Sequence, residues 1–132
     1  MNMIKTIVND FLNYMHKRDL KNLINLFAEE VNWEIPGNTR DLKWLGIRKN
    51  KSEVESFFEL LWKETEPISA EIHKVLFDKD EVILKGVFTT KMLRTDKIVT
   101  SIFFIHFKVY NGKIIEYILL EDTYAVSKSM EL

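Results

Sequence analysis

The hydrophobic pattern of this chain changes its period near the middle. Up to about residue 66 the apolar residues recur mostly at helical spacing, and from Ile68 onward they alternate with polar residues along extended runs. Helices gathered before a run of strands are typical of an α+β domain, in which the helices cover one face of an antiparallel sheet. We therefore predict an α+β fold with a curved antiparallel sheet wrapped around three helices that mostly precede it.

Helical spacing and capping residues predict the three helices. The first covers about residues 3–16, and Asp19 has the side chain of an N-cap for the second. Ser52 followed by Glu55 matches a capping box, in which each side chain satisfies a backbone N–H of the first turn. The third helix that this box opens must end before Pro67, which cannot continue a helix.

Alternation and turn residues predict the strands. Val31, Trp33 and Ile35 alternate as a short strand, and residues 38–50 after it read as a loop. Asn111-Gly112 predicts a hairpin, because both residues accept positive φ. The short breaks between the later runs predict an antiparallel meander. Its strands are expected at about residues 69–77, 81–92, 97–110 and 113–121.

Composition narrows the functional classes. A chain of 132 residues, 46% hydrophobic and 30% charged, fits one globular domain over residues 1–132. The net charge of −1 gives no reason to expect nucleic acid or a membrane surface as partner. Cysteine is absent, the three histidines share no close spacing, and we predict neither a metal site nor a cofactor. No apolar run approaches the roughly 20 residues of a membrane span, and the N-terminus lacks a signal peptide, so we expect a cytoplasmic protein.

Five short sequence islands occur in a fixed order along the chain. They are Val31-Asn32-Trp33-Glu34-Ile35-Pro36-Gly37, Trp44-Leu45-Gly46, Val54-Glu55-Ser56-Phe57-Phe58, Asn111-Gly112-Lys113-Ile114 and Glu121-Asp122-Thr123-Tyr124-Ala125. In this order the chain resembles the nuclear transport factor 2-like superfamily and, within it, the SnoaL-like proteins related to ketosteroid isomerase. The resemblance covers most of the chain. It implies a cone-shaped fold with one apolar pocket, and a homodimer that packs through the outer face of the sheet.

The resemblance also allows the isomerase residues to be located. The isomerase mechanism needs a carboxylate base and an oxyanion hole made of a Tyr and a protonated Asp. The base position falls on Ile35, the Tyr position on Phe11, and the oxyanion Asp on Ile105 or His106, depending on a one-residue gap. Because Ile cannot abstract a proton and Phe cannot donate one, we do not expect steroid isomerisation by that mechanism.

SnoaL-type cyclases imply a different catalytic group, an acid/base Asp at the end of the last strand. That position falls on Asp122. Alternation groups Ile118, Leu120 and Asp122 on one face of the strand, and an apolar cavity wall there would raise the pKa of the carboxyl. Alternatively, Asp122 or Thr123 caps the C-terminal segment by accepting a backbone N–H. Both interpretations remain open at the level of the sequence.

Three further residues are candidates with two interpretations each. His106 either faces the exterior of the sheet or a dimer interface, or it reaches the cavity and polarises a carbonyl. Tyr14 either offers its hydroxyl to a ligand or lies half-buried at the rim. Lys85 either binds an anionic group in the pocket or lies on the solvent face with its stem on apolar neighbours.

The remaining candidates are apolar residues expected to line the pocket, with ordinary core packing as the alternative for each. The complete predicted ligand-binding set is Trp33, Ile35, Trp44, Phe58, Trp62, Lys85, Ile118 and Leu120. The first functional hypothesis is a module that binds a small apolar or cyclic molecule in the cone. The second is an acid/base enzyme (isomerase, cyclase or dehydratase) that uses Asp122 with Tyr14 or His106. The third is a domain that serves only dimerisation or another protein interaction.

Overall fold

A computed structural model describes residues 2–132, the side chain of Asn2 excepted. The described chain forms four helices and six strands. The helices are α1 (Asn2–Lys17), α2 (Leu20–Ile24), α3 (Lys51–Glu64) and α4 (Thr123–Lys128). The strands are β1 (Phe27–Ile35), β2 (Gly46–Asn50), β3 (Thr65–Asp78), β4 (Glu81–Met92), β5 (Lys97–Tyr110) and β6 (Lys113–Glu121).

The strands form one curved, open sheet in the order β2-β1-β6-β5-β4-β3. Strands β3 to β6 make the predicted antiparallel meander, whereas β1 lies parallel to β6. The α+β fold class is therefore confirmed. At one end of the sheet β1, β4 and β6 finish and β5 begins, and we call this end the mouth.

Most of the predicted elements are confirmed. The bounds of β4, β5 and β6 match the prediction, and β3 begins earlier, at Thr65. Asp19 caps α2, because its Oδ1 accepts the backbone N–H of Asn22 at 3.3 Å. The predicted breaks are tight turns, in which Lys79, Asp96 and Asn111 have positive φ.

Two local predictions are wrong. The end of the predicted loop over residues 38–50 is a strand, β2, which pairs antiparallel with β1. The capping box lies two residues earlier than predicted. Asn50 Oδ1 accepts the N–H of Glu53 at 2.9 Å, and Glu53 Oε1 accepts the N–H of Lys49 at 2.7 Å. Because β2 ends at Asn50, the helix starts there, and Ser52 lies inside its first turn.

Aromatic rings fill the space between the concave face of the sheet and the helices. The Trp33 and Tyr117 rings stack at 4.0 Å, and Phe57 packs edge-on against Trp33 at 4.8 Å. The connected cluster comprises Phe11, Phe27, Trp33, Phe57, Phe58, Trp62, Phe107 and Tyr117. This packing fills the inner face of the sheet away from the mouth. The part of the inner face next to the mouth lies beyond the rings.

Candidate functional site

The inner face of β6 carries the residues that lead from the ring cluster to the mouth. Tyr117 is buried and stacks on Trp33, so it defines the concave side. Because side chains alternate along a strand, Leu119 and Glu121 lie on the same side as Tyr117. Glu121 pairs with Phe103 of β5, which is buried on the concave face. The last residue of β6 therefore presents a carboxyl to the concave side at the mouth.

Among the carboxyl groups at the mouth, that of Glu121 has the largest shift in pKa. Burial raises the pKa of Glu121 from 4.5 to about 7, and the neighbouring Asp122 carboxylate adds to the rise. Among residues 2–132 no side chain or backbone group forms a hydrogen bond or an ion pair with the Glu121 carboxyl. A carboxyl of this kind changes its charge near neutral pH, which is the property of a general acid or base.

Two other polar groups lie in the same interior. Burial raises the pKa of the Tyr117 hydroxyl, with a smaller contribution from Glu121, so the hydroxyl stays protonated. The Nε1–H of Trp33 is buried without a hydrogen-bond partner in the described structure. An unpaired buried donor is costly, and such groups in native proteins often have a functional reason.

Asp122, the predicted acid/base residue, is an N-cap in the structure. Its Oδ1 accepts the backbone N–H of Ala125 at 3.0 Å, and its own N–H donates to Ser101 Oγ at 2.8 Å. Its side chain is exposed, and the residue follows Glu121 by one position. Asp122 therefore caps α4, as one of its two interpretations expected. The residue that faces inward at the end of β6 is Glu121.

Ile118 and Leu120 were expected along the pocket wall, and the structure places them on the outer face instead. Leu120 is 52% exposed and lies opposite Phe104, which is 42% exposed on β5. The physical reason is that apolar side chains occur on both faces of β6. Alternation alone fixes which residues share a face, and it does not say which face is concave.

His106 and Lys85 also lie on the outer face. His106 is paired in register with Ile118, and its Nε2 lies 2.6 Å from Glu81 Oε1. Lys85 is exposed, and its Nζ lies 6.0 Å from the centre of the Phe104 ring. Both residues therefore lie on the exterior of the sheet, which was one of the two interpretations of each, and neither reaches the inner face.

The other predicted residues lie inside or at the rim. Trp33, Ile35 and Phe58 are buried, the first two on the inner face of β1 and the third on α3. Trp62 is half-buried at the end of the ring cluster, with its ring 5.5 Å from the Arg18 guanidinium. Tyr14 is half-buried on α1, which agrees with a rim position.

Two depressions mark the surface at opposite ends of the fold. The larger, of about 250 Å³, is lined by Met3, Ile4, Lys79, Asp80, Val109, Asn111 and Gly112. The second, of about 160 Å³, lies at the mouth and is lined by Arg40, Asp41, Lys43, Trp44, Leu60, Glu64, Arg94 and Met130. Of the residues predicted to bind a ligand, only Trp44 borders either depression.

Within residues 2–132 no group of three or more carboxylate, imidazole or thiol side chains is arranged to hold a metal ion. None of the helices in this part of the chain is long and apolar enough to cross a membrane.

Sequence reasoning missed Glu121. Its signal in the sequence was the position four residues after Tyr117, which puts both on one face of a strand. That signal needed knowledge of which face Tyr117 occupies. The parallel pairing of Tyr117 with Trp33 supplies it, and a pairing between residues so distant in the chain is not readable from local pattern.

Comparisons with known proteins agree with this architecture. An NTF2-like protein from Burkholderia xenovorans LB400 superposes with a TM-score of 0.88 at 20% identity, over 99% of this chain and 98% of its own. An LEH-like epoxide hydrolase of M. tuberculosis superposes with a TM-score of 0.77 at 15% identity, over 98% of this chain and 90% of its own. TerC, crystallised with polyporic acid, superposes with a TM-score of 0.80 at 15% identity, over 98% of this chain and 99% of its own. At these identities the likeness shows the fold.

The sequence comparison goes one step further. No curated protein matches the chain significantly. The model of the SnoaL-like domain matches residues 8–117, which is most of the chain. This match agrees with the curved sheet, the helices on its concave face and the NTF2-like structural neighbours. The chain therefore belongs to the SnoaL-like domain family, and its fold is that of the NTF2-like structures.

Proposed function

We propose that this protein binds a small apolar or cyclic molecule at the mouth of the sheet and transfers a proton with Glu121. The observation that carries the proposal is the unpaired, inward-facing carboxyl of Glu121, whose pKa burial raises to about 7. A group with that pKa is present in both protonation states at neutral pH. It can therefore accept a proton from carbon and return it to another atom of the same molecule.

The surroundings favour an apolar substrate, and removal of a proton from carbon requires an activating group such as a carbonyl in that substrate. Leu119 and Phe103 lie beside Glu121 on the inner face, so the body of a ligand would meet apolar surface. A proton next to a carbonyl is acidic enough for removal by a carboxylate when the developing charge is stabilised. The reaction class is therefore proton abstraction next to a carbonyl, as in an isomerisation or a ring closure.

The structural neighbours support small-molecule chemistry without naming a substrate for this chain. One of them is described as an epoxide hydrolase, and another was crystallised with polyporic acid. The family supports many activities on one fold, so the residues at the mouth carry the proposal.

Proton exchange in D₂O tests the proposed activity directly. The wild-type protein is incubated with a panel of small cyclic ketones, and loss of the proton next to the carbonyl is followed by ¹H NMR. We expect exchange above the buffer rate for at least one ketone, and Glu121→Gln should lower it by about 10²- to 10⁴-fold. Glu59→Gln is the matched control, since Glu59 is an exposed carboxylate on α3 and the variant should retain the rate. Equal rates for the wild type and Glu121→Gln would refute the proposal.

The outer face of the sheet supports a second proposal, a homodimer. Ile83, Ile102, Phe104 and Leu120 are 40%, 46%, 42% and 52% exposed on strands β4 to β6. Leu120 lies opposite Phe104 in the register, and Ile83 and Ile102 lie close to Phe104 on the same face. The four form an apolar patch that also contains Lys85 and His106. Patches of this kind mark interaction surfaces on soluble proteins, and a second copy supplies a matching one.

Sedimentation at several protein concentrations tests the dimer. The wild type should sediment as a dimer, and Phe104→Glu should sediment as a monomer because it places charge in the centre of the patch. Tyr124→Glu is the control, since Tyr124 is 73% exposed on α4, outside the patch. A wild-type protein that stays monomeric at high concentration would exclude this interface.

A further inference from the structure

The C-terminal segment, residues 123–132, crosses the mouth of the sheet. Asn38 Nδ2, just after β1, donates to Ser127 Oγ at 2.9 Å. Thr95 Oγ1, in the turn between β4 and β5, donates to the carbonyl of Ser129 at 2.6 Å. Because β1 and β4 lie on opposite sides of the β6-β5 pair in the sheet order, these two anchors stand on opposite sides of the mouth.

The segment has an apolar underside and an exposed upper side. Val126 and Met130 are buried in the same core as the inner face of the sheet, whereas Tyr124 is exposed. Met130 also borders the 160 Å³ depression, together with Trp44 and Leu60. The underside therefore closes the inner face at the end where β6 finishes with Glu121.

Few hydrogen bonds hold the segment down, beside the packing of the buried Val126, Ser129 and Met130. Helix α4 has six residues, which is too short to be stable without its packing. Among the described residues, the side-chain hydrogen bonds that join the segment to the rest of the fold are those from Asn38 and Thr95. Segments with few tertiary contacts open at a small part of the free energy of global unfolding.

The attachment point, in contrast, is fixed. The N–H of Asp122 donates to the buried Ser101 Oγ at 2.8 Å, and the same hydroxyl donates to the carbonyl of Ile102. Asp122 is thereby tied to β5 immediately before the segment begins. Movement of the segment would turn at this residue and leave Glu121 on its strand.

We propose that residues 123–132 form a lid that opens about Asp122 and admits a ligand to the inner face beside Glu121. The role of Glu121 in this statement rests on the proposed function, whereas the opening itself does not. Since the ring cluster fills the deep interior, lifting Val126 and Met130 is the change that makes room beside the carboxyl. The lid therefore controls both the access of a ligand and the exclusion of water from Glu121.

Hydrogen exchange of the full chain measures the opening. The amides of Ser129 and Met130, which donate to carbonyls within the segment, should exchange at least tenfold faster than those in the centre of β5. The double variant Thr95→Val/Ser127→Ala removes both anchors and should accelerate the lid amides by about a further tenfold, leaving the centre of β5 unchanged. It should also increase the fluorescence of the dye 8-anilinonaphthalene-1-sulfonate.

Ser56→Ala is the control, because it removes an exposed hydrogen bond to the carbonyl of Ser52 far from the mouth. Lid amides that exchange at the β5 rate in the wild type and in the double variant would overturn the lid. The two proposals fail separately. Fast lid exchange with an active Glu121→Gln variant overturns the proton transfer alone, and slow lid exchange with an inactive Glu121→Gln variant overturns the lid alone.

Discussion

Replacing Glu121 by Gln should make the protein more stable at high pH and leave its stability nearly unchanged at low pH. The pKa of Glu121 rises from 4.5 to about 7 on folding, chiefly through burial. Below pH 4.5 the carboxyl is protonated in both the folded and the unfolded protein. No charge is then buried on folding, and the free energy of unfolding is not lowered. Between pH 4.5 and 7 the unfolded state loses the proton and the folded state keeps it, so stability falls as pH rises.

The size of the effect follows from the same values. At about 1.4 kcal/mol per pKa unit, the difference between 4.5 and about 7 corresponds to about 3 kcal/mol at pH 8. Gln has nearly the shape of the protonated carboxyl and carries no charge. No partner of Glu121 is lost, because its carboxyl has none among the described residues. Glu121→Gln should therefore exceed the wild type by about 3 kcal/mol at pH 8 and match it at pH 4.5.

Urea denaturation at a series of pH values between 4.5 and 8.5 measures this difference. Glu59→Gln is the matched control, since Glu59 is an exposed carboxylate on α3 and its replacement should change stability by less than about 0.5 kcal/mol at every pH. A difference between Glu121→Gln and the wild type that stays constant across this range would refute the reasoning.

Two further changes test the local structure. Gly86→Ala should destabilise the protein by at least about 2 kcal/mol in urea denaturation, because a Cβ there would lie 2.2 Å from the Glu71 carbonyl oxygen and 2.8 Å from the Phe103 ring. A change below about 0.5 kcal/mol would show that the sheet is looser at this point. Asp122→Ala should cost about 1 kcal/mol through loss of the N-cap of α4, and Asp122→Asn should cost little. Equal losses in the two variants would argue against the capping bond.

The bounds of β4, β5 and β6 were predictable because local turn residues determine them. Asn111 and Gly112 adopt positive φ in the turn before β6, as their side chains favour. Strand β2 was missed because Gly46–Asn50 shows no alternation and forms through its pairing with β1. The short segment becomes a strand only when a distant strand supplies hydrogen bonds.

The candidate site was predictable only in part, for a similar reason. The end of the last strand was identified as the place for an acid/base group, yet the residue chosen was Asp122. Local sequence shows that Glu121 and Asp122 lie on opposite faces, and the concave face is set by contacts such as the stack of Tyr117 on Trp33. Because Ile118 and Leu120 are apolar yet lie on the outer face, the first half-buried and the second exposed, hydrophobicity pointed to the wrong face.

The central claim is that the half-buried carboxyl of Glu121 titrates near neutral pH. A titration of the protein labelled with ¹³C at the glutamate side chains, with Glu121→Gln used to assign the signal, measures this pKa directly. The account predicts a midpoint of about 7 for Glu121. A midpoint near 4.5 would contradict it, since the carboxyl would then be solvated and fully ionised at neutral pH.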